Sequence, residues 1–524
     1  MNFRIRDEKK SRLTKQKRLG VKSYLLCLAQ GYFLEREQQL RPSFCRDCPR
    51  FDGLAGKFDS SSQLWKRKEA MRKTLGRILV LGCLAILIPS WRLAEQQAAL
   101  KLATKPVNVS NAVPLTFFGM HVAISRTSYS TPILAPIIIG AVGKGVGTSW
   151  SYTEHSRGVY SWGSVDQLVT FGRTHNAPVF ESTEKEPAWA VSDSSGCKAS
   201  AQPDIAFCLA APSDLTTVST CQEPLAGVVT TDCIWKEYLT TLVNRYKSTG
   251  TQTGCPTSSP QCHGVIEMYE GWNEPVESTA DTKAQFVTLE TDFLNTVRAN
   301  DPGAKVCSPA FSMGAGTKYY VNIMEGFFAS GGPKTWDCYD FHLNAPTPEG
   351  EIAEINQFKA ILRKNGINPS SVPIYATEAG RWGGCVPIAD DEEQAYVARI
   401  ELLYWSNGVA RHYWYAYDAC APLTNQPSST TLKPAGIAYG NVESWMVGAT
   451  MSSPCSSSGT VWTCGFTRSS PSGYQALAVW DTAGTRSDYV PPGQYTKYQD
   501  LNGNVSSISG SVTISHQPIL LTNQ

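Results

Sequence analysis

From Val113 onward the chain alternates short apolar runs with segments whose apolar residues recur every three or four positions, the pattern of βα units on a parallel sheet. Strands are predicted at 115–122, 178–180, 264–269, 305–308, 338–343, 372–377 and 411–417. Helices are predicted between them at 164–175, 235–246, 282–299, 318–329, 351–364 and 392–406. The last of these opens on Asp390, Asp391, Glu392 and Glu393, whose negative charge suits a helix N-terminus. An eighth strand is expected near 147–150. Eight such units over roughly 330 residues fit an α/β fold of the (β/α)8 TIM-barrel type better than an open sheet. No glycine-rich phosphate loop follows any of these strands, which argues against a dinucleotide fold.

The barrel pattern spans 113–450, preceded by a linker at 100–112. Within it, 192–229 is rich in Ser, Thr, Pro and Cys without periodicity. It reads as an extended loop stapled by Cys197, Cys208, Cys221 and Cys233. Beyond 451 the texture changes to short β-like runs at 476–480, 494–498 and 512–515, with a turn at 500–503. This predicts a small antiparallel, β-sandwich-like domain over 451–524, too short to be a second enzyme.

Charge changes the picture at the front end. The whole chain of 524 residues carries +2, but 1–92 hold 21 Lys and Arg against 8 Asp and Glu, leaving 26 against 37 in the remainder. An acidic body argues against broad neutralisation of phosphates, so no nucleic-acid partner is expected. The apolar run 78–87 follows Arg72, Lys73 and Arg77 and precedes the small residues Ala94, Ala98 and Ala99. That order is the pattern of a secretory signal over 71–99, and the run falls short of the ~20 residues a spanning helix needs. Met71 is read as the start, with 1–70 a basic, aperiodic extension upstream; the other reading makes 1–70 a cytoplasmic tail on a single-pass anchor. Export predicts a secreted, extracellular or periplasmic protein, or a membrane-anchored one if the signal stays uncleaved. Twelve of the 16 cysteines lie beyond 190, an even number that suits disulfides in an oxidising compartment. Cys255/Cys262 and Cys455/Cys464 are the easiest pairs by spacing. Cys45 and Cys48 have metal-knuckle spacing without a second pair, so no zinc site is expected there.

Two strand ends carry chemistry. Tyr269-Glu270-Gly271-Trp272-Asn273-Glu274-Pro275 follows one apolar run, and Ile374-Tyr375-Ala376-Thr377-Glu378-Ala379-Gly380 closes another. Each sets a Glu just past the C-terminal end of a predicted strand, where barrels of this type keep their active sites. In this order the two motifs resemble the retaining glycoside hydrolases of clan A, most of all family 39 and its cellulase-like neighbours. Phe118-Gly119-Met120-His121, the segment Arg157-Gly158-Val159-Tyr160-Ser161-Trp162 and Trp414 fit the same pattern.

The resemblance implies two carboxyls at about 5–5.5 Å, with Glu274 the general acid/base and Glu378 the nucleophile. Burial or a nearby anion is then expected to raise Glu274 so that it holds its proton. Asn273 is implied to bind the sugar 2-hydroxyl. His342, ending the sixth strand, and His121, on the first, are candidate contacts to sugar or nucleophile. Trp414 rather than Tyr415 or Tyr417 is expected to offer the platform for a sugar ring. Glu184 and Glu186 are expected to face solvent. One departure stands out: relatives carry an Arg on the second strand that orients the nucleophile, and here the segment reads Ser149-Trp150-Ser151-Tyr152-Thr153-Glu154. The leading expectation is a secreted retaining β-glycosidase acting on poly- or oligosaccharide, without cofactor. The alternative is a non-catalytic carbohydrate-binding protein on the same fold. A metal hydrolase is disfavoured, because the seven His residues show no H-x-x-x-H or H-x-H spacing.

Overall fold

The computed structural model describes residues 111–122, 132–145, 147–195, 197–199, 206–247, 266–276, 282–314, 318–343, 345–381, 386–426 and 430–524. The predicted signal segment, Cys45, Cys48 and the Cys255/Cys262 pair lie outside them. Short parallel strands carry the fold: β1 (Phe118–Met120), β2 (Ala141–Val142), β3 (Phe180–Ser182), β4 (Met268–Glu270), β5 (Lys305–Cys307), β6 (Tyr339–His342), β7 (Ile374–Ala379) and β8 (Arg411–Trp414). They fall into two sheets. In one, β6, β7, β8, β1 and β2 pair in that order, with Phe311–Ser312 on the far edge of β6; in the other, β4 lies between β5 and β3. Single parallel bridges, Val142↔Val179 and Cys307↔Cys338, connect the two.

Helices follow the strands from β2 onward: α1 (Gly163–Thr174), α2 (Cys233–Tyr246), α3 (Lys283–Asn300), α4 (Lys318–Ala329), α5 (Pro348–Lys364), α6 (Asp390–Ser406) and α7 (Pro434–Met446). α3 and α5 are capped by Thr282 and Thr347, whose side chains accept from the backbone N–H three residues on. Among the described residues no helix is long and apolar enough to cross a membrane. Aromatic and branched residues of these helices pack on the outer face of the sheets, while Ala141, Phe180, Met268, Tyr375 and Tyr413 form a separate cluster with Cys307 and Cys338.

Two expectations are corrected. The second strand is Ala141–Val142, not 147–150, which instead turns into the short helix Trp150–Thr153. Pro136 and Gly140 interrupt the apolar run ahead of the true strand and hide it. Helix α7 was not predicted, because Gly436 and Gly440 weaken its pattern. Side chains there would run into the Leu423 carbonyl and Pro136, so close packing requires the glycines.

The stretch 192–229 contains local antiparallel pairs and is closed by the Cys197–Cys208 and Cys221–Cys233 disulfides. Beyond α7 come β9 (Ala449–Ser458), β10 (Val461–Arg468), β11 (Gln475–Asp481), β12 (Arg486–Tyr489), β13 (Lys497–Gln499), β14 (Val505–Ser507), β15 (Val512–Ile514) and β16 (Ile519–Thr522). Six of these form an antiparallel sheet in the order β9-β10-β11-β16-β13-β14, and β12 pairs with β15. The Cys455–Cys464 disulfide ties β9 to β10.

Candidate active site

Glu274 lies four residues beyond the end of β4, where its N–H donates to the Ala310 carbonyl at 3.0 Å. Its φ of 46° is left-handed, a conformation that costs a non-glycine residue about 1–3 kcal/mol and persists where the surroundings enforce it. Glu378 lies within β7, at a point where the register shifts against both neighbouring strands; His342 stands opposite it. Such a bulge re-aims a side chain at a strand end.

The two carboxylates meet at one imidazole. Nδ1 of His342 is 2.9 Å from Glu274 Oε1 and 3.9 Å from Glu378 Oε2. Those two oxygens are therefore within about 7 Å of each other, below most of the roughly 6.5–9.5 Å range in which an inverting pair makes room for water. His342 is buried, and its Nδ1 must carry a hydrogen because a carboxylate only accepts. Burial acts to lower the His342 pKa, but the bond to Glu274 and the charges of Glu378, Glu274 and Glu270 raise it. The Glu274 side chain is 45% exposed, so burial opposes its charge only weakly, and His342, Lys144 and Lys185 hold the carboxyl at about 2. Glu274 is thus lowered rather than raised, because the imidazole and lysines beside it stabilise the carboxylate.

A cation that the sequence reading missed stands next to Glu378. Lys144, two residues past β2, places Nζ 3.6 Å from Glu378 Oε2, with 11% of its side chain exposed. Burial opposes its charge, but Glu184, Glu378, Glu270 and Glu274 together raise its pKa. The cation nearest Glu378 is thus a lysine two residues past β2. A lone Lys inside the apolar, glycine-rich run 133–147 was the available signal.

Lys144, Glu184, Asn273, Glu378 and Tyr415 line one cavity of about 160 Å³. Glu184 is buried rather than solvent-facing, as is Glu186. Lys185 Nζ donates to Glu184 Oε1 at 2.6 Å, and Asn273 bonds the same carboxylate. Burial acts to raise Glu184, but Lys144, Lys185 and Asn273 pull it below the usual range.

Two expected sugar contacts are placed otherwise. Trp414 is fully buried and its Nε1 donates to the Ala421 carbonyl, so it offers no face to a ligand. Tyr413 belongs to the interior cluster, and side chains alternate along a strand, so Tyr415 rather than Trp414 continues the inner face. Tyr415 lines the cavity, with burial and the Glu378 charge pushing its hydroxyl up to about 12. His121 reaches the cavity wall, but its ring nitrogens are 3.1 Å from the Lys144 carbonyl and 2.7 Å from the Thr377 carbonyl. Burial lowers its pKa, so as a neutral ring it donates to one of these carbonyls, and the shorter contact makes it a brace for the backbone beside Glu378.

The fold is shared with solved glycoside hydrolases of clan A. A family 39 glycoside hydrolase from Bacteroides cellulosilyticus is similar over 79% of this chain and 81% of its own, with TM-score 0.53 and 17% identity. A glucosidase from Croceicoccus marinus matches over 80% and 97%, with TM-score 0.52 and 11% identity. A family 51 α-L-arabinofuranosidase from Bifidobacterium longum matches over 80% and 97%, with TM-score 0.51 and 10% identity. No family model matches the chain, and no curated protein sequence does.

Proposed function

We propose that the chain is a retaining β-glycoside hydrolase that cleaves poly- or oligosaccharide by double displacement. The carrying observation is the meeting of Glu274 and Glu378 at His342 Nδ1, beside the small cavity that Glu378 and Asn273 line. The (β/α)8 reading belongs to the same proposal. Followed through the two single bridges, each strand has the next as neighbour and β8 returns to β1, which supports it.

In the first step the Glu378 carboxylate attacks the anomeric carbon, and the glycosidic bond breaks with its electron pair on the leaving oxygen. Glu274 delivers a proton to that oxygen. Lys144 holds Glu378 in line by charge, the role that a guanidinium fills in relatives. In the second step Glu274 takes a proton from water as the water oxygen replaces Glu378 at the anomeric carbon. Asn273, steadied by Glu184, is placed to bind a sugar hydroxyl, an interaction that strengthens at the transition state. Tyr415 takes the position intended for Trp414. Four disulfides among the described residues support an exported protein.

Hydrolysis of a panel of aryl β-glycosides, with the product anomer followed by NMR, tests this directly. Retention by the wild type and loss of turnover by at least about 1,000-fold in Glu378→Gln are expected; inversion overturns the mechanism. A second reading, a carbohydrate-binding protein without activity, draws on Glu274 being held ionised at about 2. Equal glycan binding by wild type, Glu274→Gln and Glu378→Gln, with no hydrolysis by any, establishes it instead.

A further inference from the structure

Below the Glu274–His342 contact lie two acids that the steps above do not use. Glu270 ends β4; Asp340 is in β6, two residues before His342 and so on the same face of the strand. Both are fully buried. Their carboxyls contact each other; among the described residues the hydroxyls of Thr377 and Ser182 are the only donors that approach Glu270, and no donor bonds either oxygen of Asp340. The sulfurs of Cys307 and Cys338 lie within 4.8 Å of the Asp340 carboxyl, adding a wall without strong donors. Two touching carboxylates in such a place repel each other and lose their hydration together. One proton between them turns that repulsion into a hydrogen bond.

Lys144 and His342 face Glu270, as do the hydroxyls of Ser182 and Thr377. Arg411, itself paired with Glu267, faces Asp340. Glu290 of α3 approaches Glu270 from the helix layer. Glu274 and Glu378 flank the Nδ1 side of His342, while its Nε2 is buried and without a hydrogen bond.

We propose that Glu270 and Asp340 hold a single shared proton, and that the one negative charge left on the pair adds to those of Glu274 and Glu378 in keeping the His342 imidazole protonated despite its burial. Resting on the glycosidase reading, this makes both acids positioning residues for the proton used in turnover. As the glycosidic bond breaks, Glu274 takes the Nδ1 proton of His342 and passes it to the leaving oxygen, staying ionised itself. When water attacks the glycosyl ester, its proton passes to Glu274 and back to His342, while the ester electron pair returns to Glu378.

The test uses the full chain as wild type, Asp340→Asn, Glu270→Gln and the double variant. The readouts are kcat/KM against pH on an aryl β-glycoside and the imidazole NMR titration of His342, assigned with His342→Gln. Each single variant keeps one carboxylate, so the basic limb and the His342 titration stay in place. The double variant loses the charge, and both move to lower pH by about one unit, a tenfold loss of the protonated fraction at a given pH. Singles that move as far as the double, or a double that titrates like the wild type, overturn the proposal. Should the double not fold, carboxyl carbon shifts of Asp- and Glu-labelled wild type decide: both groups fully ionised above about pH 5, near ordinary carboxyl values, refute the shared proton. A wild type that hydrolyses no glycoside sinks the functional reading, while the NMR arms still judge the shared proton.

Discussion

At the scale of single residues, the site is a balance of charge. Three carboxylates, Glu184, Glu274 and Glu378, stand around Lys144, Lys185 and His342, and these neighbours lower Glu184 and Glu274 and raise Lys144 and His342. Lys144 is the residue whose removal unbalances the set. Lys144→Met leaves Glu378 without its near cation and is expected to lower kcat by about 100-fold, the scale of deleting one electrostatic stabiliser. Lys144→Arg is expected to recover most of that loss, because the charge is kept; equal activity of wild type and Lys144→Met on the same substrate refutes the role. The Glu274–His342 pair also predicts a pH dependence of folding. Glu274 is depressed to about 2, so its contribution is present above the ordinary Glu value near 4.3 and fades as pH falls toward 2. His342 is raised, so its contribution is present below about 6.5 and fades as pH rises through its folded value. Both are present together between those limits. Comparing melting temperature against pH for wild type and His342→Gln checks this: the difference between them should peak in that window and shrink on both sides.

At the scale of elements, strand phase decides which side chains reach the cavity, and this is where reading the chain succeeded and failed. Glu274 and Glu378 were legible because each follows an apolar strand and is flanked by residues with few structural reasons to be there. The phase of β8 was not. Trp414 and Tyr415 are adjacent aromatics, and only the placement of Tyr413 among interior side chains fixes which of them points inward. Lys144 was missed for a related reason: Pro136 and Gly140 broke up the run that leads into β2, so the strand was placed several residues late. The second-strand assignment then made the cation look absent rather than displaced. The phase argument is testable by a split of effects. Trp414→Ala removes a fully buried ring and should destabilise the fold by about 3–5 kcal/mol, read as a lower denaturation midpoint. Tyr415→Ala should leave the midpoint closer to wild type and raise KM for an aryl glycoside. The opposite split, with KM following Trp414, reinstates the tryptophan as the platform.

At the scale of the whole molecule, the terminal strands are joined to the α/β part by packing that leaves little independence. Phe466 of β10 meets Trp405 of α6 with ring centroids 5.4 Å apart, and Trp480 of β11 donates its Nε1 to Glu349 of α5 at 2.9 Å. Trp445 of α7 bonds Gln499 of β13 at 2.9 Å, and Ser406 accepts from the Cys455 N–H at 2.8 Å. Cys464, Phe466, Ala476, Trp480 and Leu520 belong to the same continuous core as the helices around the parallel strands. The change of texture at 451 predicts a small β domain, and the terminal strands do hold a cluster of their own around Val479, Val512, Ile514 and Leu521; which of their faces the helices cover is not legible in the alternation of short β runs. With a shared core, the two parts should unfold together. Phe466→Ala is expected to lower stability by about 3–5 kcal/mol and to do so in a single calorimetric transition, with loss of activity tracking loss of terminal-sheet structure. A chain ending at residue 448 should expose the apolar faces of α6 and α7 and fail to yield soluble, active protein. Two resolved transitions in the full chain, with Phe466→Ala shifting only one of them, would show instead that the terminal sheet is an autonomous unit resting on the helices.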